Sequence, residues 1–301
     1  MRLKDILLAL SVVVAWGINF VVIKVGLHGM PPFLLAGLRF ALVAFPAVCF
    51  IKPPAIALKW LVAYGMTISF GQFAFLFLAI KLGMPAGIAS LVLQAQAFFT
   101  MMFAGVFLAE KLKWHHLAGM LIACFGMLLL ARAASPAQGG NALPLVPLLL
   151  TLGAALSWGL GNITNKVIAQ KHSAPMLSLV VWSALIPVGP FFFCAWLIDG
   201  PTVIQQSLAN ISTQTVLSLI YLSFLASLFG YAIWGNLLKR YETWRIAPLS
   251  LLVPVVGLIS ANLLLGETLS GAQVASAMVI IAGLLVNMFG GFIPRLFAAR
   301  A

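Results

Sequence analysis

Arg39 is the side chain in this sequence best suited to chemistry, because it is a formal charge set deep in an apolar stretch. That stretch opens at Pro32, so Arg39 falls roughly 12 Å along a helix that rises 1.5 Å per residue. An unpaired charge in hydrocarbon costs several kcal/mol or finds a partner. Arg39 could give a carboxylate a two-pronged anchor, or bond carbonyls at the end of a broken helix. Five neutral polar residues also interrupt apolar runs: Asn19, Gln72, Gln94, Gln96 and Asn162. Gln94 and Gln96 lie two positions apart, about 200° around a regular helix. They are therefore expected on different faces, one toward a solute and the other tying helices together. Gln94 shares its face with Phe98 and Met101. Asn19 stands three residues after Trp16 and Asn162 four after Trp158, so each pair shares a helix face. Trp182, Tyr231 and Trp234 add aromatic surface, with Tyr231 and Trp234 spaced to lie together. Each of these residues fits either a cavity wall or helix packing.

Other chemistries find little support. Cys49, Cys124 and Cys194 are single and far apart, without CxxC or Cys/His ligand spacing, and are read as small buried hydrophobes. His115-His116 sits in a short basic segment and is read as solvated surface. No metal or cofactor is expected. No GxxxxGK[ST] phosphate loop is present, and no nucleophile–base constellation stands out, so ATP-driven work and enzyme catalysis are both disfavoured.

The elements that hold these residues must be membrane helices. Of 301 residues 63% are hydrophobic and only 7% charged, against roughly 25% charged in soluble domains. The net charge of +12 gathers at alternate loops rather than along one face, which argues against nucleic acid. A spanning helix needs about 20 mostly apolar residues, and punctuation by Pro, Gly and charge gives ten: near 5–25, 32–51, 60–81, 85–108, 114–132, 144–166, 175–198, 213–238, 246–265 and 271–292. The first resembles a signal peptide but lacks a cleavage site of small residues, so it is read as an uncleaved span. Thirteen basic residues then fall on the side of the N-terminus. Lys24, Lys81 and Arg132 fall opposite, and Arg39 lies within a span. This bias places both termini in the cytoplasm.

The chain also repeats itself. Ala15-Trp16-Gly17-Ile18-Asn19 through Lys24 returns 142 positions later as Ser157-Trp158-Gly159 through Lys166, with Trp, Gly and Lys in register. Leu108-Ala109-Glu110-Lys111-Leu112 returns at an offset of 157 as Leu265-Gly266-Glu267-Thr268-Leu269. The larger second offset implies an insertion, placed in the polar run from Asp199 to Gln214. Two five-span halves, 1–135 and 141–301, enter the membrane in opposite senses because five is odd. Such an inverted repeat suits alternating access around a site near the midplane. Glu110 and Glu267 occupy matching span ends, where they fit helix-end structure or a gate. Pro254 removes a backbone bond in the ninth span and fits a hinge. Gly119, Gly126, Ser276 and Gly283 give the fifth and tenth spans small faces suited to close packing or a homodimer contact.

Ten spans with doubled Trp-Gly…Lys and Glu segments resemble the drug/metabolite transporter superfamily, and the ten-helix EamA type in particular, across essentially the whole chain. Segments such as Gly83–Thr100 (GMPAGIASLVLQAQAFFT) and Arg240–Gly257 (RYETWRIAPLSLLVPVVG) are similar to those of its O-acetylserine/cysteine exporters. The resemblance implies an all-α inner-membrane exporter of small amino-acid-pathway metabolites, working without ATP. Its substrate would meet Asn19, Arg39, Gln72, Gln94, Gln96, Trp158, Asn162, Trp182, Tyr231 and Trp234, with Pro254, Glu110 and Glu267 as hinge or gate. All five acids (Asp5, Glu110, Asp199, Glu242 and Glu267) are terminal or in loops. Facilitated or exchange transport therefore suits the chain better than obligatory proton antiport. A broad drug and amino-acid exporter with proton coupling is the alternative, and a membrane scaffold the reading outside transport.

Reporter fusions test the topology: one at Gly139–Gly140 should report the outside and one at Ala301 the inside. Both on one side would break the odd-numbered halves.

Overall fold

The structure, a computed structural model, describes residues 2–109, 113–133, 145–172, 174–241 and 247–291. Among them every regular element is helical. The helical segments are α1 Leu3–Gly26, α2 Pro32–Cys49, α3 Leu58–Lys81, α4 Ala86–Leu108, α5 Trp114–Ala133, α6 Leu145–Lys171, α7 Met176–Ala209, α8 Thr213–Leu237, α9 Leu249–Leu265 and α10 Gly271–Phe289. Eight are long and apolar enough to cross a membrane; the apolar part of α5 (Trp114–Leu130) and α9 are shorter.

Local sequence explains where they start and stop. Pro32 opens α2, and Pro85 and Pro175 stand just before α4 and α7, where a missing N–H is harmless and φ is preset. Ser270 and Gln273 form a reciprocal capping box at the start of α10. The repeated Glu segment ends α4 and α9 alike: Ala109 (φ 53°) and Gly266 (φ 65°), one repeat offset apart, both adopt the left-handed conformation. Glycine does so freely, whereas Ala109 carries a strain of about 1–2 kcal/mol. In the polar run expected to hold the insertion, Gly200 (φ 78°) breaks α7, and the chain turns into a short helical stretch ending at Ala209.

Glycines set the closest helix approaches. A Cβ on Gly17 of α1 would lie 2.5 Å from Val256 Cβ and 3.1 Å from Gly257 N of α9. One on Gly159 of α6 would lie 2.8 Å from Phe99 Cβ and 3.0 Å from Thr100 N of α4. Offsets of 142 and 157 carry the first contact onto the second, residue for residue, while exchanging the halves. α3 and α8 show the same exchange. Each widens into π-helical turns, at Gly65–Gly71 and Tyr221–Phe229, and such turns leave carbonyls for outside donors. Thr67 O accepts from Ser157 Oγ of α6 at 2.9 Å, and Ala226 O accepts from Trp16 Nε1 of α1 at 2.9 Å.

α5 and α10 pair along their small faces inside one chain. A Cβ on Gly119 would lie 2.6 Å from Gly283 O, and one on Gly283 would lie 2.6 Å from Ala123 N. Gly283→Val should therefore push backbone apart, at a cost of about 1–3 kcal/mol for an overpacked site, and lower the unfolding midpoint. Gly189→Ala, which would meet nothing within 4 Å, is the control and should not. Equal midpoints for the two variants would refute the glycine seam.

Candidate functional site

α2 places Arg39 at the centre of the bundle, where it is 2% exposed. Its Nη2 donates to Ser227 Oγ at 3.1 Å, and its guanidinium carbon lies 4.1 Å from the centre of the Phe73 ring and 5.5 Å from that of Phe40. Phe40 stacks on Phe191 and meets Phe73 edge-on, so the aromatic wall is rigid. Ser227 Oγ donates in turn to Leu222 O five residues back, and Ser223 Oγ donates to the carbonyl of Arg39. The wide turns of α8 thus deliver two hydroxyls to one arginine. Nε and Nη1 are buried without a partner.

Magnitudes show what is missing. Moving a charge of this size out of water costs an idealised ~20 kcal/mol and several kcal/mol after relaxation. A desolvated cation–π contact returns about 2 kcal/mol, and one hydrogen bond to a charged group about 1.5–3 kcal/mol. These returns are of the same order as the relaxed cost, and two of the guanidinium nitrogens still have no partner. Beside the guanidinium lies a void of about 20 Å³, walled by Arg39, Ser69, Phe73, Ser227 and Tyr231 among others.

A second cavity has a different character. It measures about 280 Å³ and is lined by Gln94, Gln96 and Thr100 of α4, Asn162 of α6, Ser250 of α9 and Asn287 of α10, with Leu251, Leu284 and Met288. Asn162 Nδ2 donates to Gln96 Oε1 at 2.7 Å and to Thr100 Oγ1 at 3.0 Å. Gln94 and Gln96 share this wall, contrary to the opposite faces expected of them. The reason is local: Leu93–Ala95 is a 3₁₀ turn, which brings the two side chains to about 120° apart instead of about 160°.

The other candidates divide. Tyr231 reaches the arginine void, and it also packs with Trp234 against Trp16, at 5.5 and 5.2 Å between ring centres. Trp182 donates to Ile51 O at 2.8 Å, tying α7 to the segment after α2. Trp158 is half-buried, packed against Tyr64, Ile68 and their neighbours. Asn19 and Gln72 are buried with an oxygen each unpartnered. Pro254 is buried in α9, and its carbonyl lies 3.5 Å from Ser90 Oγ. Glu110 lies outside the described residues.

Glu267 joins three helices. Its Oε1 accepts from Lys24 Nζ at 2.6 Å and from Ala86 N at 3.0 Å, and Oε2 accepts from Gly87 N at 3.1 Å. A carboxylate here meets the orphan amides and positive end of α4. Lys81 Nζ adds a bond to Leu27 O at 2.9 Å. Helix-end structure and ion pair are thus one arrangement. The α9 N-terminus and the α10 C-terminus lie at the other end of the bundle, so the amide cavity is in the half away from this lock. In that half, Tyr241 Oη donates to Asp5 Oδ2 at 2.7 Å, and Arg240 lies 3.6 Å from Oδ1.

Eight long apolar helices enclosing a buried cation and a polar cavity have the character of a multi-pass membrane protein. The profile of the EamA-like transporter family matches residues 3–132 and again 145–289, and the chain belongs to that family. It is 59% identical, over 98% of both chains, to a probable amino-acid metabolite efflux pump of Salmonella typhimurium. It is 56% identical to one of Escherichia coli, over 96% of both. A probable terminal-alkyne amino-acid exporter of Streptantibioticus cattleyicolor is 26% identical, over 91% of this chain and 90% of its own. A crystal structure 22% identical in sequence superposes with a TM-score of 0.63, covering 95% of this chain and 96% of the other, and shares the fold.

Serines 223 and 227, Thr100 and Asn287 escaped sequence reasoning because hydroxyl and amide residues are ordinary in membrane helices. Lys24 is marked in the sequence by its recurrence at Lys166, but its pairing with Glu267 is a contact across 243 positions. The lock generates an ordering. Lys24→Met should cost about 1 kcal/mol or less, as for partly exposed pairs. Glu267→Ala should cost more, by about 0.5–2 kcal/mol, because two helix-end amides also lose their acceptor. Equal losses in thermal unfolding would dismiss the capping role.

Proposed function

We propose that the protein exports small amino-acid metabolites, O-acetylserine and cysteine among them, across the bacterial inner membrane by alternating access. In this reading α5 and α9 complete ten spans. The halves 1–135 and 141–301 are an inverted repeat, and both termini are cytoplasmic. The observation that carries it is Arg39, a buried guanidinium with two unpartnered N–H groups at the level where the halves meet. It would hold the substrate carboxylate, while neutral amides along the path meet the uncharged remainder. The names of the two relatives from enterobacteria support the metabolite class, and the exchanged Gly17 and Gly159 contacts support the inverted repeat. The Glu267 lock at one end and the amide cavity toward the other support an inward-facing state. Asp5 and Asp199, read as terminal or loop residues, lie in helices, but in the first turn of α1 and beside the break at Gly200 in α7, so no described acid falls near the middle of a span; this supports facilitated or exchange transport over proton antiport.

Induced cells should release more cysteine and O-acetylserine into the medium than uninduced cells, and downhill efflux should persist with an uncoupler. Arg39→Lys keeps the charge but loses the planar fork. Losing one charge-assisted hydrogen bond, about 1.5–3 kcal/mol, lowers efflux about tenfold or more. Arg39→Gln should be lower still at similar membrane yield. Wild-type efflux in Arg39→Gln would remove the anchor.

A further inference from the structure

We infer that the void beside Arg39 is a binding site for a small inorganic anion of chloride size, which holds the guanidinium when no substrate carboxylate does. Charge is the first argument. Among the described residues Arg39 has no acidic partner, its one hydrogen-bond acceptor, Ser227, is neutral, and Nε and Nη1 are buried with their protons unused. A water molecule could satisfy those protons but would leave the charge uncompensated in a membrane interior.

Size is the second. About 20 Å³ is close to the least space that holds one water, so it suits a monatomic ion. An α-amino acid would need several times as much. The void seen here is therefore not shaped by the proposed substrate, and the 280 Å³ amide cavity, which is large enough, offers no cation. The lining is the third argument. Hydroxyls of Ser69 and Tyr231 join the guanidinium on the wall, against the rings of Phe40 and Phe73, and no carboxylate or side-chain amide faces the void. A cationic donor and hydroxyls that can turn their protons toward it, in an apolar shell, favour an anion over a cation.

Two consequences follow. A halide at this site keeps Arg39 neutralised in the unloaded protein, so the unloaded carrier can change conformation without an uncompensated charge in its core. Halide and substrate carboxylate also exclude one another; this second consequence rests on the carboxylate-anchor reading above, whereas halide binding does not.

The purified full-length protein, in detergent, should show a thermal unfolding midpoint that rises saturably with chloride or bromide and not with gluconate at matched ionic strength. Tyr231→Phe, which keeps the cation but removes a donor, should need several-fold more halide for the same rise, and Arg39→Gln should show none. Equal midpoints in chloride and gluconate for the wild type would overturn the site. So would a halide effect that survives in Arg39→Gln, or, where that variant does not fold, an unchanged halide affinity in Tyr231→Phe. Cysteine titrated in gluconate should raise the midpoint by itself, and in saturating chloride should do so only at higher concentration. A halide effect indifferent to cysteine would keep the anion site and remove the carboxylate anchor.

Discussion

The desolvation of one guanidinium organises this bundle. Arg39 sits where an apolar side chain would pack at no electrostatic cost, and its neighbours are arranged as a response to that charge. Phe73 and Phe40 give it ring faces, and those rings are held in turn by Phe191. The π-helical turns of α8 lower Ser223 and Ser227 onto it, one bonding its backbone and the other its side chain. A regular α-helix would keep its carbonyls engaged and offer fewer such contacts. The widened turn also frees Ala226 O for Trp16, so a local irregularity in α8 serves the charge on one side and the packing of α1 on the other.

The same logic, written twice, relates the halves. α1 is pressed against α9 at Gly17, and α6 against α4 at Gly159. A widened α3 receives a hydrogen bond from α6, and a widened α8 receives one from α1. Each half therefore presents to the other the surface that it also receives. Side chains break the equivalence. Trp16 bonds a carbonyl, while Asn162, one turn along the matching helix from Trp158, bonds Gln96 and Thr100. Glu267 closes one end on Lys24 and the α4 amides, while the amide cavity lies toward the other. Two packings related by a near-symmetry and separated by a few polar contacts would suit the alternating access proposed above.

How much of this could be read from the chain follows from the range of the forces involved. Span positions were legible because they depend on runs of apolar residues bounded by Pro, Gly and charge, all local signals; each stretch read as a span is mostly helical among the described residues, though the second breaks at Phe45–Pro46 and resumes only as the short turn Ala47–Cys49. The partnership of the repeated glycines was half legible: Gly17 and Gly159 recur in register, but their partners Val256 and Phe99 are contacts across the fold. Arg39 stood out because its cost is high wherever it is buried. Ser227 did not, because a serine in a membrane helix costs little, and its role appears only once α8 widens. The face assignment of Gln94 and Gln96 failed for a related reason. It assumed a uniform 3.6-residue helix, and the chain tightens between them.

The two polar regions make different physical demands, and together they describe a path better than either does alone. A carboxylate needs a full compensating charge, since neutral amides cannot offset its desolvation. Among the residues lining the two cavities, only Arg39 could supply one. The remainder of a small amino acid needs hydrogen bonds that form and break at low cost, which the amide wall of Gln96, Thr100, Asn162 and Asn287 can supply. Were a second cation placed in that wall, the solute would be held at both points and release would slow. Were the arginine absent, the carboxylate would face the apolar core with nothing in exchange. One buried charge against Phe73 and neutral dipoles around the larger cavity would meet both demands under the proposed function, without a second charge to desolvate.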